Sequence, residues 1–296
     1  MRKEWWIFFN MILLLSCNTI DSTIEITHDK VGHIIVPLVI NGIEIDGIFD
    51  TGSVASTLSA KDVDKVGLKF SSDSVYTWFP YLQEKPILSK IGKNTHVKIG
   101  KLRSEEAIAF SVPANNTLTI IGTDIIHQFN WLFDFENGNL VVSSKELAFD
   151  FNNSVKIPFE YKDGTMISSV SFKDIIIDHL MIDTGLPQVL FQDGSTTSIY
   201  LRMAKSLMNK QKIVVNKENE SSKTDSIRLT SVKKIPFEND SINHSNIPIF
   251  KGVFTLSDRK KHHDFSSING AIALCYAREY SQMYIDMKNN TVYLKP

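Results

Sequence analysis

The tripeptide Asp-Thr-Gly occurs twice in this chain, at Asp50-Thr51-Gly52 and again at Asp183-Thr184-Gly185. Each copy follows a run of mostly apolar, Ile-rich sequence, which is typical of a β-strand. The glycine in each copy indicates a turn, so each carboxylate is predicted to lie where a strand ends. This repetition constrains the fold most, because it requires two similar units that each place an acidic group at the end of a strand.

Composition agrees with two mainly β units. A chain of 296 residues can form two domains of about 100–150 residues each. Short runs of Ile, Val, Phe and Thr alternate with turn dipeptides such as Asn41-Gly42, which predicts many hairpins and few short helices. With 22% charged residues and a formal net charge of -1, the chain carries neither a nucleic-acid footprint nor a polybasic membrane patch.

The segment around the first Asp-Thr-Gly is predicted in some detail. Two strands, over 34–40 and 43–50, are joined by a type I′ turn at Asn41-Gly42. A further strand is predicted over 54–58. A short helix follows, with Ser59 as its N-cap and Gly67 just past its end.

The second half of the chain repeats this order. Strands over 166–172 and 175–182 lead to Asp183, and a helix is predicted over 197–209. Both halves close on a hairpin in which an Asp precedes an aliphatic residue by six positions, and Gly122 is matched with Gly270. The sequence therefore predicts a duplication, with lobes at 18–147 and 148–296.

The repeated motif can form an acid and base pair if the two loops face each other. Gly52 and Gly185 would let the backbones approach closely, and the Thr51 and Thr184 hydroxyls could hold the loops together. The two Asp carboxylates would then be too close to ionise together, so one proton would be shared between them. Such a pair can activate a water molecule and protonate a leaving amine.

These motifs resemble the retropepsin-like aspartic proteases, in a pepsin-like arrangement of two lobes within one chain. The resemblance is specific over 36–59 and over 120–126, where Ile120-Ile121-Gly122 is similar to the family's apolar-apolar-Gly segment. It is looser over 180–190 and 268–272. It implies that Asp50 and Asp183 are catalytic, that no cofactor or metal is needed, and that the substrate is a peptide bound in extended form beneath a hairpin flap.

The two motifs differ in the next residue, which is Ser53 in the first and Leu186 in the second. The Ser53 hydroxyl is predicted to donate a hydrogen bond to Asp50, which would favour ionisation of that carboxyl. Leu186 cannot do so, and Pro187 stiffens the second loop. We therefore expect Asp50 to be the more acidic member and Asp183 to carry the shared proton.

A flap is predicted over 71–90, where aromatic residues occur without a clear period. Tyr76, Trp78 and Tyr81 are the candidate substrate contacts, since Tyr and Trp suit partly exposed contact positions. The opposite possibility, that these aromatic side chains belong to the core of a β protein, is also open.

The N-terminus is predicted to be a targeting segment. Arg2 and Lys3 precede an apolar stretch that ends in Leu14-Leu15-Ser16-Cys17, which resembles the bacterial lipobox. This resemblance implies a signal peptide over 1–17, acylation of Cys17 and a lipid-anchored protein of the bacterial cell envelope, on the outer membrane or a periplasmic face. An ordinary secretion signal with an incidental Cys is the alternative.

Other functions are weighed against peptide hydrolysis. His262-His263-Asp264 is interpreted as a solvated loop, because no further His or Cys lies at metal-ligand spacing. A non-catalytic peptide-binding lipoprotein that keeps the fold is the main alternative, favoured by Leu186 and the looser second lobe. A homodimer that pairs two Asp50 residues is disfavoured, since Asp183 supplies the partner within one chain, and a monomer is expected.

Overall fold

The computed structural model describes residues 22–77, 87–113, 117–172, 175–186, 189–190, 196–197, 199–204, 234–244, 247–257, 268–274 and 280–296. Within these residues the helices are α1 (Ala60–Val66) and α2 (Thr123–Ile126). The strands of residues 22–143 are β1 Ser22–Glu25, β2 Thr27–His28, β3 Ile34–Ile40, β4 Ile43–Phe49, β5 Phe70–Thr77, β6 Ile87–Gly92, β7 Val97–Ile99, β8 Leu102–Arg103, β9 Ser111–Pro113, β10 Ile120–Ile121, β11 Asn130–Asp134 and β12 Asn139–Ser143.

The remaining strands are β13 Val155–Pro158, β14 Glu160–Lys162, β15 Thr165–Phe172, β16 Ile175–Asp183, β17 Val189–Leu190, β18 Thr196–Thr197, β19 Ile199–Ala204, β20 Lys234–His244, β21 Ile247–Ser257, β22 Gly270–Leu274, β23 Gln282–Asp286 and β24 Thr291–Lys295. The predicted fold class, mainly β with few short helices, is confirmed. Among the described residues there is no helix of the length and apolarity needed to cross a membrane.

The β3–β4 hairpin forms as the sequence predicts. Ile40 pairs with Ile43, and both turn residues have positive φ, 52° at Asn41 and 81° at Gly42. A type I′ turn needs this backbone conformation at both positions, which Asn and Gly adopt most readily. Along β3, fully buried residues alternate with partly buried ones, so one face of the hairpin packs into the core.

Helix α1 also forms as predicted. The Ser59 hydroxyl accepts a hydrogen bond from the Asp62 N–H at 3.1 Å, and Gly67 ends the helix in the left-handed region with φ 60°. The strand predicted over 54–58 is wrong, because this segment makes only isolated bridges, from Thr57 to Ser111 and Ile120.

Strands β10 and β4 bring the Ile-Ile-Gly segment beside the first Asp-Thr-Gly. They are parallel, with Ile121 paired to Phe49, and the Asp50 N–H donates to the Ile121 carbonyl at 3.0 Å. Their sheet has the order β10-β4-β3-β7-β8, with β2 paired to β3. Strands β5, β6 and β9 form a separate three-stranded sheet. Residues 71–77 of the predicted flap lie in β5, which pairs antiparallel with β6.

The second half repeats the parallel pairing. Strand β16 pairs antiparallel with β15 and parallel with β22, in a sheet ordered β14-β15-β16-β22-β19-β21-β20. Ile272 pairs with Ile182 and Ala273 with Asp183. Because Ile272 occupies the place of Ile121, the counterpart of Gly122 is Ala273, and the predicted match of Gly122 with Gly270 is wrong.

The helix predicted over 197–209 is also wrong where the structure describes it. Residues 199–204 form β19, which pairs antiparallel with β22 and parallel with β21. The sequence Ile-Tyr-Leu-Arg-Met alternates apolar and more polar residues over Ile199 to Met203, and this period of two fits a strand. Because β19 is paired along both edges, these strand contacts outweigh the helix propensity of its residues.

A six-stranded sheet joins the two halves, in the order β1-β12-β11-β23-β24-β13. At its centre β11 and β23 are antiparallel, with Trp131 beside Ile285. Phe49 lies against this sheet, with its ring centroid 4.9 Å from that of Trp131 and 5.0 Å from that of Phe133. The strand that ends at Asp50 is therefore supported by the core of the shared sheet.

Candidate active site

Asp50 and Asp183 end equivalent strands and are held in the same way. The Gly52 N–H donates to Asp50 Oδ1 at 2.8 Å, and the Gly185 N–H donates to Asp183 Oδ1 at 2.9 Å. In each case the turn bends the backbone so that the amide two residues on reaches back to the carboxyl. The repeated sequence thus gives a repeated local geometry.

The two loops face each other at close range. A Cβ placed on Gly52 would come within 2.6 Å of both Asp183 carboxyl oxygens, and a Cβ on Gly185 would overlap the Asp50 carboxyl. The Asp50 and Asp183 side chains are hydrogen-bonded to one another. The structure therefore brings together the two carboxyl groups that the sequence singles out, and glycine is required in both loops.

Thr51 and Thr184 link the loops beneath the carboxyls. The Thr51 hydroxyl donates to the Ile182 carbonyl at 2.9 Å and accepts from the Thr184 N–H at 3.0 Å. The Thr184 hydroxyl donates to the Phe49 carbonyl at 2.9 Å and accepts from the Thr51 N–H at 3.0 Å. Both side chains are buried, so each hydroxyl satisfies two backbone groups that water cannot reach.

The Asp50 carboxyl is in an environment that disfavours charge. Burial raises its pKa, although the residue keeps part of its surface accessible to solvent. The Gly52 N–H, the charge of His33, the Asp183 side chain and the Ser53 N–H each act in the opposite direction. A carboxyl with a raised pKa, hydrogen-bonded to a second carboxyl, can hold a proton at a pH where an exposed Asp cannot.

The predicted role of the Ser53 hydroxyl is wrong. It donates to the Ala55 carbonyl at 2.9 Å, and only the backbone N–H of Ser53 acts on Asp50. Leu186, at the matching position, is fully buried. The difference between these two residues therefore does not supply the predicted asymmetry between the carboxyls.

Asp124 supports the first loop and was missed by sequence reasoning. Its carboxylate accepts from the Ser56 N–H at 3.0 Å and from the Ser56 hydroxyl at 2.6 Å. The same hydroxyl accepts from the Gly122 N–H at 2.9 Å, and burial raises the pKa of Asp124. The available signal was an acidic residue inside the apolar segment that follows Gly122.

A second contact crosses between the halves near the first loop. The Thr123 hydroxyl donates to the Gly164 carbonyl, in the turn between β14 and β15. The ring of His127, just after α2, is stacked on Tyr161 at 5.6 Å. A Cβ on Gly164 would overlap the Val54 side chain. The start of α2 and the β14–β15 turn therefore hold the two halves in register beside the carboxyls.

The structure describes only some of the other predicted site residues. Tyr76 lies near the end of β5 and is 73% exposed, opposite the exposed Leu88 on β6. Trp78, Tyr81, Pro187, Cys17 and the sequence His262-His263-Asp264 lie outside the described residues. In the part of the chain that is described, no three His, Cys, Asp or Glu side chains form a group able to hold a metal ion.

Comparison with known proteins gives matches to parts of the chain. A 68-residue stretch is 29% identical to "(-)-alpha-terpineol synthase, chloroplastic" of Pinus taeda, covering 23% of this chain and 11% of that protein. The chain thus spans only about a tenth of that protein's length. A family model described as aspartyl protease matches residues 36–125, which include Asp50-Thr51-Gly52 and Ile120-Ile121-Gly122. Residues 36–125 therefore match the aspartyl protease family.

Proposed function

We propose that this protein is an aspartic endopeptidase in which Asp50 and Asp183 together activate water. One observation carries the proposal: two carboxyls, each fixed by the N–H of its own glycine, are hydrogen-bonded across the junction of the two halves. The match of residues 36–125 to aspartyl proteases supports the same class of reaction. The lobes would be residues 18–147 and 148–296.

The chemistry follows from one proton shared between the two carboxyls. The ionised carboxyl takes a proton from a water molecule, and the water oxygen forms a bond to the carbon of the substrate carbonyl. The protonated carboxyl donates a hydrogen bond to the oxygen that becomes negative. When the carbon–nitrogen bond breaks, the amine takes up a proton, and the pair again holds one proton.

The proposed substrate is a peptide or protein segment in extended form, lying between the lobes under the β5–β6 hairpin. Tyr76 supports this because a large side chain at 73% exposure is available for contact. Trp78 and Tyr81 are proposed contacts from sequence alone. The reaction needs no metal or organic cofactor, so we expect activity to persist in EDTA.

We also propose that acylated Cys17 anchors the protein to the cell envelope as a monomer. The sequence Leu14-Leu15-Ser16-Cys17 is the basis of this proposal. Labelled palmitate should enter the wild-type protein and not the Cys17→Ser variant expressed in a bacterium. Equal labelling of both would overturn the anchor proposal without affecting the catalytic one.

The test of the proposed reaction is cleavage of a peptide library followed by mass spectrometry. Wild-type protein should cut internal peptide bonds at acidic pH, while Asp50→Asn and Asp183→Asn should each lose at least about 10³-fold in rate, because neither carboxyl works alone. Asp46→Asn is the matched control, since Asp46 is an exposed residue of the same strand as Asp50.

Two outcomes would contradict the proposal. Full activity in either Asp→Asn variant would exclude the shared-proton mechanism. Peptide binding with no cleavage by the wild-type protein at any pH would instead favour the alternative function, a peptide-binding lipoprotein that keeps the fold.

A further inference from the structure

His33 lies beside Asp50 at the start of the hairpin that carries it. Strands β3 and β4 pair Ile35 with Ile48 and Val36 with Gly47. Continuing this register by two residues brings His33 opposite Asp50. His33 is only 7% exposed, and its charge acts on the Asp50 carboxyl. A titratable cation thus borders one member of the carboxyl pair.

Asp29 fixes the His33 ring. Asp29 Oδ2 lies 2.7 Å from His33 Nδ1, so the ring nitrogen donates to the carboxylate. Asp29 Oδ1 also accepts from the N–H groups of Val31, at 3.0 Å, and His33, at 2.9 Å. One carboxylate therefore holds both the turn and the imidazole, so the ring keeps its position relative to Asp50.

In the described part of the second half, the matching position holds no such cation. Strands β15 and β16 pair Ile167 with Met181, and continuing that register by two residues brings Thr165 opposite Asp183. Thr165 is 8% exposed and uncharged. The titratable groups that act on Asp50 among the described residues are Asp183 across the junction and His33 on its own side, while Asp29 faces His33.

We infer that His33 is a positioning residue for the carboxyl pair: in its protonated form it favours Asp50 as the ionised member and leaves the shared proton on Asp183. A positive charge beside Asp50 stabilises the carboxylate there, and the neutral Thr165 gives Asp183 no equivalent benefit. His33 thus supplies the asymmetry that the Ser53 hydroxyl does not. The catalytic role in this inference rests on the proposed function, but the effect of the His33 charge on the Asp50 carboxyl does not.

The charge of His33 lowers the pKa of Asp50. A positive charge on the imidazole favours ionisation of Asp50 over that of Asp183. Removing the imidazole should therefore raise the pKa of Asp50, in the same direction as the effect of burial.

The test is a carbon-13 NMR titration of the Asp carboxyl carbons in the full-length protein. His33→Asn keeps a donor near the Nδ1 position for Asp29 and removes the charge, so the pKa of Asp50 should rise relative to wild type. His96→Asn is the matched control, because the His96 ring also bonds through Nδ1, to the Ser104 carbonyl at 3.1 Å. His96 directly precedes β7, whose Val97 pairs with Ile40 at the end of β3 opposite to His33. It should leave Asp50 unchanged.

An Asp50 pKa that does not change in His33→Asn, or that changes equally in His96→Asn, would overturn the inference. If His33→Asn fails to fold, His33→Gln is studied in its place, and an Asp50 pKa that does not rise in that variant would overturn the inference. No step of this test depends on peptide cleavage. Its failure is therefore distinguishable from failure of the proposed function.

Discussion

Gly52 and Gly185 determine how closely the two carboxyls can approach. Replacing Gly185 by Ala puts a methyl group inside the contact distance of the Asp50 carboxyl, so the pair must separate. We expect kcat to fall about 100-fold or more, because displacement of reacting groups by about 1 Å is enough for such a loss. Peptide cleavage measured at saturating substrate checks this.

Gly67→Ala is the control for the Gly185→Ala variant. A Cβ at Gly67 would meet nothing within 4 Å, but the residue has φ 60°, so Ala is strained there. This variant should lose about 1–2 kcal/mol of stability and keep its kcat. If both variants keep full kcat, the close approach of the loops is not required for catalysis.

Asp50 should reduce stability at neutral pH. Burial raises its folded-state pKa above the ordinary value of 3.8, so the favourable contribution of the protonated group is complete below that value and is lost as pH rises through the folded pKa. Asp50→Asn should therefore melt at a higher temperature than wild type at pH 7. The difference should shrink towards pH 3, as calorimetry at both pH values can show. A lower melting temperature for the variant at pH 7 would contradict this.

At the residue scale, the sequence predicts which groups meet but not where each side chain points. Asp50, Thr51 and Gly52 and their repeats could be predicted, because the chemistry requires those residue types in that order. The direction of the Ser53 hydroxyl could not, since it depends on which carbonyl the turn leaves nearby. His33 was missed because only the register of β3 against β4 brings it opposite Asp50.

At the scale of elements, the two Asp-Thr-Gly loops act as a single unit held by hydroxyls. Thr51→Val removes the acceptor of the Thr184 N–H and the donor to the Ile182 carbonyl. Two buried groups without partners, at roughly 1–3 kcal/mol each, should lower the free energy of unfolding by about 2–4 kcal/mol. Denaturant unfolding monitored by circular dichroism measures this.

Thr51→Ser is the control for the Thr51→Val variant, since it keeps the hydroxyl and removes only a methyl group. It should cost about 1 kcal/mol. Equal losses in the two variants would mean that packing of the methyl group, rather than the hydrogen bonds across the junction, holds the loops.

Elements with strong local signals were predicted correctly. The Asn41-Gly42 turn and the Ser59 cap have residue types that only a few backbone conformations accept, and both form as expected. Residues 199–204 lacked such a signal, and their strand depends on pairing with β21 and β22. The match of Gly122 with Gly270 failed for the same reason, because spacing along the chain does not give the register of β16 against β22.

At the scale of the whole molecule, the two halves share one sheet. Strands β1, β12 and β11 come from the first half and β23, β24 and β13 from the second. The sequence showed that both halves end in similar hairpins, but it could not show that these hairpins pair with each other, because the contact between Trp131 and Ile285 joins distant parts of the chain.

This shared sheet predicts that a fragment of residues 22–147 does not fold as a monomer. Without β23, the edge of β11 has no paired strand, and Phe133 loses its neighbour Met283. We expect the fragment to be unfolded or self-associated, as analytical ultracentrifugation and circular dichroism would show. A monomeric fragment with a cooperative unfolding transition would contradict this, and the full-length chain serves as the control.

The joint titration of the two carboxyls tests the central claim most directly. In wild-type protein labelled at the Asp carboxyl carbons, Asp50 and Asp183 should take up protons in two separated steps that both signals report, because they share one proton. In Asp183→Asn, Asp50 should titrate in a single step. If both carboxyls in the wild type titrate in one ordinary step each, and neither responds to replacement of the other, the two Asp residues do not form one catalytic pair.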